Sequence, residues 1–449
     1  MMKSYNDYKN TKYDWMGSIP IHWDAQKIRE LFTERKEKVS DKDYAPLSVS
    51  RGGIVPQIST VAKSNDGDNR KLVRNGDFAI NSRSDRRGSS GLSIYDGSVS
   101  LINIVLCPRT SINGRYTHYL LKSHSYIEEF YRNGRGIVAD LWTTRYAEMK
   151  SIVLPLPPLS EQDQIVRYLD WQVSKTNKLI SALKKQIALL NEQKQTVIND
   201  AVTKGLDPNA QMKDSGATWI GEIPAEFHIR PFSKVAHVCA NLVHPEDYPE
   251  YFQVSPASIE KNSGRLLMCG TVREAGIISD NHLFKTGQIL YSKVRPMLNK
   301  VTIAPFDGLC SADMYPIETV LVTRYLMYYM LSFAFLSQLS MTGNRVKMPK
   351  INKEELSGIL IIFPDGNSQK KIVAYLDEQC VKADELIENI SAEIALLSEY
   401  RTRLICDVVT GQIDVRDIDV PDFEYITDEV EDASDDESID TEETVDEEA

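Results

Sequence analysis

Arg83, Arg86 and Arg87 stand beside Ser89 and Ser90 in NSRSDRRGSSGLS (81–93), a stretch with two glycines and few apolar residues. Glycines let such a loop approach a polyanion closely, and arginine forks can hold phosphate oxygens or guanine edges through paired hydrogen bonds. The second half of the chain carries basic loops in corresponding places. SKVRPMLNK (292–300) offers Lys293, Arg295 and Lys300, and GNRVKMPK (343–350) offers Arg345, Lys347 and Lys350. Arg135, in NGRG (133–136), completes the set. Any one of these cations alone reads as a solvated charge or a surface ion pair. Their recurrence in two divergent segments points the set toward DNA.

Other chemistry is thin. HVCANLVH (237–244) holds His237, Cys239 and His244, but with no second cluster of ligands no metal site is assigned. The six cysteines form no CxxC pair and read as reduced core residues. No GxxxxGK[ST] loop, no GxGxxG turn and no Asn-Pro-Pro-aromatic motif occurs, so no nucleotide or methyl-transfer site is expected. Carboxylates near a lysine, such as Glu246 and Asp247, or Glu354 and Glu355 after Lys353, read as surface charges, and no catalytic residue is assigned. No secretory signal follows Met1, and YLMYYMLSFAFL (325–336) is too short to span a bilayer, so it reads as a buried helix in a cytoplasmic protein.

The net charge of −12 averages two unlike regions. Residues 415–449 hold seventeen Asp or Glu and one Arg, whereas residues 1–414 hold 51 Lys and Arg against 47 Asp and Glu. The body is therefore mildly basic. The acidic end has too little apolar surface to order itself and is expected to be a disordered tail. It reads as a solubilising appendage or as a competitor with polyanions for a basic surface.

The elements that must position these loops come in duplicate. IVRYLD (165–170) returns as IVAYLD (372–377), and ALLNEQKQTVINDAVTKGLD (188–207) lines up with ALLSEYRTRLICDVVTGQID (395–414) at the same offset of 207. WMGSIPIHW (15–23) likewise matches WIGEIPAEF (219–227). Between these shared ends each half has a Gly turn feeding a short strand, in RNGDFAINSR (74–83) and KTGQILYSKVRP (285–296), and then a helical stretch. Leu183, Ile187, Leu190 and Val197 recur with four-three spacing around Lys194, and Ile390, Ile394, Leu397 and Leu404 repeat it around Arg401. That spacing predicts a coiled-coil seam on two long helices, the first capped by Ser160.

The expected fold is α+β. Two mixed α/β domains are joined by two long antiparallel coiled-coil helices, in a pseudo-two-fold internal repeat with a disordered acidic tail. The boundaries fall at an N-terminal arm (1–13), a first domain (14–157), a central helix (158–207), a second domain (208–364), a distal helix (365–414) and the tail (415–449).

These residues together resemble the specificity subunit of type I restriction-modification systems. The resemblance rests on the WxGxIPxxW-like opening of each half, on GDFAINSRSDRRG and GQILYSKVRP inside the domains, and on PLPPLSEQDQIVRYLD with its second copy FPDGNSQKKIVAYLD. It implies two target-recognition domains, each reading half of a bipartite, asymmetric sequence in double-stranded DNA, with the helices setting the spacer. It also implies a chain without catalysis that docks two modification (methyltransferase) subunits and then restriction (endonuclease and translocase) subunits. S-adenosylmethionine, ATP and Mg would belong to those partners, and no cofactor to this chain. The second copy departs from the pattern in lacking the PLPP run, and the acidic end is not part of it. A non-catalytic coiled-coil adaptor that binds other proteins is the competing reading.

Overall fold

In the computed structural model, which describes residues 3–57, 67–137, 142–342 and 350–426, the two Gly turns fold as expected. Gly76 and Gly287 take φ of +88° and +87°, a conformation that favours glycine because it has no Cβ. Each turn is pinned by the next side chain. Asp77 accepts from the Arg74 N–H at 2.8 Å, and Gln288 accepts from the Lys285 N–H at 2.9 Å. Each then feeds a fully buried strand, Phe78–Asn81 or Ile289–Ser292.

The chain divides into two units, Met1–Lys184 with Ala392–Ala449, and Lys185–Ser391. Both are mixed α/β. In the first, Phe78–Asn81 lies inside an antiparallel sheet ordered Ser90–Leu92, Phe78–Asn81, Asn103–Pro108, Phe32–Glu34. In the second, Ile289–Ser292 lies in the sheet ordered Ala236–Val238, Met314–Thr319, Ile289–Ser292, Val301–Ile303. Each unit packs a broken helix beside its sheet, Gly114–Leu121 and His124–Arg132 in the first, Thr323–Leu331 and Phe333–Thr342 in the second. The breaks fall at Ser123 and Ser332, whose hydroxyls donate back to Leu120 O at 2.7 Å and Tyr329 O at 2.6 Å. A serine that bonds the preceding turn competes with helix continuation. The apolar stretch at 325–336 is thus buried as expected from Tyr325 through Leu331, but as parts of two helices rather than one.

Two long helices span Leu159–Lys204 and Gly366–Val409. The first begins one residue before Ser160, whose side chain is exposed and inside the helix, because Pro158 O takes the N–H groups of Glu161 and Gln162. Asp365 caps the second, accepting from the Asn367 N–H at 2.8 Å and the Ser368 hydroxyl at 2.7 Å. In the first unit Leu183 and Leu404 are buried, with Ile394 and Leu397 half-buried. In the second unit Ile390 is buried, with Ile187, Leu190 and Val197 half-buried. The two basic residues in the seam are both paired. Lys194 donates to Asp384 at 2.6 Å within the second unit, and Arg401 donates to Asn177 at 2.6 Å within the first.

The expectation of a tail starting at 415 is corrected for 415–426. Val415 and Val420 are buried, Gln164 donates to the carbonyls of Val415 and Ile418, and Asn177 donates to that of Ile426. Apolar residues interspersed among the acids give this segment surface to bury, which a charge count hides. Residues 427–449 lie outside the described residues. Among the described residues, no helix is long and apolar enough to cross a membrane.

Candidate functional site

In the first unit the basic loop connects strands Phe78–Asn81 and Ser90–Leu92 through a short 3-10 turn, Ser84–Arg86. The Asn81 side chain holds its entry, accepting from the Arg83 N–H at 3.0 Å. Arg83 is exposed, and Arg86 lies 3.9 Å from Asp85. Arg87 is held from two sides. It pairs with Glu128, and its guanidinium lies 4.5 Å from the ring centroid of Tyr131, a cation–π distance. Tyr131 in turn packs against Trp142, which donates to its carbonyl at 2.9 Å. Arg135, on the neighbouring loop, is 83% exposed at its side chain and 3.7 Å from Glu148.

Ser89 and Ser90 are corrected. Both are buried, at 5% and 0% exposure, where the sheet starts again, so neither hydroxyl faces a phosphate. Their place at the surface is taken by cations that sequence reasoning missed. Lys122 donates to Arg51 O at 2.6 Å and to Ser90 O at 3.2 Å, and Arg51 donates to Arg87 O. Lys122 and Arg51 are far from the loop in sequence, and only tertiary structure gathers them there.

In the second unit the basic loop turns on two left-handed residues, Arg295 and Asn299, both at φ of +46°, which flank the 3-10 turn Pro296–Leu298. Arg295, Met297 and Leu298 are exposed at its tip. Asp313 gathers two of the expected cations, with Lys350 Nζ at 3.1 Å and Lys293 Nζ at 3.8 Å from the same oxygen. Lys293 also lies 5.5 Å from the Tyr315 ring centroid. Lys300 is corrected. Its ammonium turns inward and donates to Pro256 O at 2.7 Å, tying the loop down instead of facing outward. Arg345 and Lys347 lie outside the described residues.

Each unit also carries one anchoring device, built on the repeated hexamers. Asp170 closes IVRYLD and accepts from Arg115 and from the Tyr119 hydroxyl at 2.7 Å. Asp377 closes IVAYLD and accepts from Arg324 and from the Tyr328 hydroxyl, each at 2.6 Å. Tyr116 is fully buried and donates to Pro155 O at 3.1 Å and Val409 O at 3.3 Å. Tyr325 does the same with Ile362 O at 3.0 Å and Val202 O at 3.1 Å. Burial pushes both phenols well above their usual range, so they stay protonated and act as donors. Gln162 and Gln369 complete the match, accepting from the N–H groups of Asn113 and Val322 and donating to Pro157 O and Pro364 O.

The openings of the two halves differ. Trp23 and Tyr5 both donate to Glu161, and His22 lies 2.8 Å from the same buried carboxylate. The second half has Phe227 where the first has Trp23 and Ser368 where it has Glu161, so this network has no counterpart.

The sequence model of the family described as Type I restriction modification DNA specificity domain matches residues 20–189 and 257–396. The chain is 27% identical to the type I restriction enzyme EcoDI specificity subunit of Escherichia coli, over 88% of this chain and 90% of that one. It is 24% identical to a putative type I restriction enzyme MjaX specificity subunit of Methanocaldococcus jannaschii, over 91% and 97%. Its fold is similar to a chain solved in work on complex assembly and conformational transition of the type I R-M system, with a TM-score of 0.65 and 14% identity over 88% of this chain and 99% of that one.

Proposed function

Because the chain belongs to the type I restriction modification DNA specificity domain family, which matches more than half of its residues, we propose that it is the specificity subunit of such a system. It recognises a bipartite, asymmetric sequence in double-stranded DNA. The first domain reads one half-site with Arg83, Arg86, Arg87 and Arg135, joined by Arg51 and Lys122. The second domain reads the other with Lys293, Arg295 and Lys350, from a loop fixed by Asp313. Arginine and lysine on short loops suit both phosphate and base-edge contacts.

The observation that carries this reading is the repeated anchor in units with unlike loops. Tyr116, Arg115 and Asp170 make the same bonds as Tyr325, Arg324 and Asp377, while the cations of the loops differ in number, spacing and partners. Equal frames with different readers suit a target whose two parts differ in sequence. In this reading the two long helices pair as an antiparallel coiled coil about a pseudo-two-fold axis and set the spacer. Their repeated faces offer equivalent docking surfaces to two modification subunits, followed by restriction subunits. S-adenosylmethionine, ATP and Mg act in those partners, and this chain supplies no catalytic group.

Mapping of methylated adenine across the source genome, with this gene intact and deleted, tests the proposal. Loss of methylation at one asymmetric two-part motif is expected. Unchanged methylation, together with DNA binding by the purified chain that shows no salt dependence, would favour the adaptor reading, because phosphate contacts release counterions and weaken steeply with salt.

A further inference from the structure

Strand Ala236–Val238 forms the edge of its sheet, antiparallel to Met314–Thr319, with His237 directly opposite Glu318. Cys239 continues that strand line, its N–H donating to Pro316 O at 2.8 Å. Residues two apart on a strand share a face, so the imidazole and the thiol come out on the side where Glu318 stands. His237 Nε2 lies 3.4 Å from Glu318 Oε2, and the imidazole nitrogen, thiol sulfur and carboxylate oxygen all lie within 4.8 Å of one another.

That donor set has the chemistry of a transition-metal site. Zinc takes nitrogen, sulfur and oxygen at about 2.0–2.3 Å in tetrahedral geometry, which separates neighbouring ligand atoms by roughly 3.3–3.8 Å. Small side-chain rotations therefore close the triad on an ion. The carboxylate is already oriented for it. Buried Gln288 donates to Glu318 Oε1 at 2.8 Å, leaving Oε2 turned toward His237. A hydrogen bond from behind that fixes a ligating group is a regular feature of such centres.

The first unit supplies an independent argument. Arg35 occupies there the place of Cys239, its N–H donating to Val105 O at 2.9 Å as that of Cys239 does to Pro316 O. By the same strand pairing Asp77 corresponds to Gln288 and Cys107 to Glu318. Arg35 forks onto Asp77 at 2.7 and 3.1 Å, so the first unit has a carboxylate with a cation built in. In the second unit Gln288 stands at the place of Asp77, the carboxylate comes from Glu318 at the place of Cys107, and Cys239 replaces the guanidinium-bearing residue.

We infer that His237, Cys239 and Glu318 bind one divalent transition-metal ion of the zinc class, with water in the remaining position. Binding replaces the thiol proton by the metal–sulfur bond and releases that proton to solvent, with no change of oxidation state. His244, which the sequence places near His237 and Cys239, takes no part. It lies instead 3.9 Å from Glu246, while Glu318 comes from a strand about eighty residues further on.

Cobalt titration of the reduced full-length chain tests this, since thiolate–cobalt charge-transfer absorption reports cysteine ligation directly. One equivalent of cobalt should bind with that absorption and be displaced by zinc. Cys239→Ser should abolish the band, and His237→Ala or Glu318→Gln should weaken binding at least tenfold, each with circular dichroism unchanged. Cys269→Ser should keep the full signal. A folded wild-type chain that gives no band, or a band that survives Cys239→Ser, would overturn the inference and leave His237 and Glu318 as a cross-strand contact at the sheet edge. Competition of the wild-type chain with a chromogenic zinc chelator decides the same question without any variant, with less than one tight zinc per chain counting against the site.

Discussion

The first and second units hang their halves of the long helices on the same hardware and surround it with different charges. Tyr116 and Tyr325 each tie two carbonyls from separate segments, and Asp170 and Asp377 each collect an arginine and a tyrosine. Around this shared frame the first unit buries Glu161 under Tyr5, His22 and Trp23 and pairs Arg35 with Asp77, whereas the second has neither arrangement. The difference separates two jobs. A buried hydrogen-bond frame must be satisfied completely or it costs stability, so it tolerates little change. Loops and sheet edges in contact with water can exchange one set of charges for another at small cost.

If the frame is one device used twice, breaking it should cost the same in both places. Tyr116→Ala and Tyr325→Ala each remove a fully buried ring and strand two carbonyl acceptors, a loss of about 3–5 kcal/mol. Hydrogen exchange read by mass spectrometry should show each loss mainly within its own unit, with the two values agreeing to about 1 kcal/mol. A cost confined to one unit would mean that only one copy of the frame supports its fold.

Acid should probe one position at which the two units differ. His118 is half-buried one turn beyond Arg115, where its Nδ1 accepts from the Leu92 N–H at 3.4 Å. Burial, with Lys122 and Arg115 nearby, pushes its imidazole down to about 3. The unfolded chain takes up a proton near pH 6.5 that the folded unit refuses. Stability from this group is therefore complete above about pH 6.5 and is lost as pH falls from there toward 3, roughly 5 kcal/mol in total. Met327 stands at the corresponding position in the second unit and does not titrate. Burial also pushes His282 of the second unit below its usual range, so acid should cost both units, and His118→Met should remove the share that His118 adds in the first. Equal acid sensitivity in wild type and variant would remove His118 as the cause.

Periodicity and repetition made the frame legible and left the loops obscure. The two hexamers, the seam around Lys194 and Arg401 and the Gly76 and Gly287 turns are local patterns, each tied to backbone geometry, and the helices and strands form where those patterns lie. Ser89, Ser90 and Lys300 misled because side-chain type says nothing about direction. A serine that re-enters a strand is buried, and a lysine beside a carbonyl in need of a donor turns inward. Arg51, Lys122 and Glu318 reach their neighbours across many residues of chain, and no spacing rule links them. The segment 415–426 was hidden by its acids, since its valines and the side-chain amides of Gln164 and Asn177 that fix it act only in three dimensions.

The loops should break asymmetrically where the frame breaks symmetrically. Arg83 is exposed on the first loop, free of the Glu128 and Tyr131 contacts that hold Arg87. If it reads a base edge, Arg83→Ala should weaken binding by about 1–3 kcal/mol and relax selectivity in one half-site only. Arg295→Ala should act on the other half. Binding measured against oligonucleotides randomised in one half at a time distinguishes them. Uniform weakening on every sequence would instead make the residue a phosphate contact, with a shallower salt dependence as its second sign.

The smallest expected effect sharpens the comparison most. Asn177 and Asp384 are equivalent positions, 207 residues apart, and each accepts from the basic residue of its seam, Arg401 or Lys194. A carboxylate would bind Arg401 more strongly than an amide does, yet the first unit has the amide. The reason lies in its second bond. Asn177 Nδ2 also donates to Ile426 O at 3.2 Å, and Ser174 accepts from the Ile426 N–H at 3.1 Å, so an amide is needed to hold the end of 415–426. Among the described residues, Asp384 has no such strap to hold. Asn177→Asp should therefore destabilise by about 1 kcal/mol despite the added ion pair, because a carboxylate would then face the Ile426 carbonyl. Hydrogen exchange at 415–426 should rise in that variant and stay unchanged in Asp384→Asn. A gain in stability from Asn177→Asp would mean that the strap contributes nothing, and that the two seams differ by charge alone.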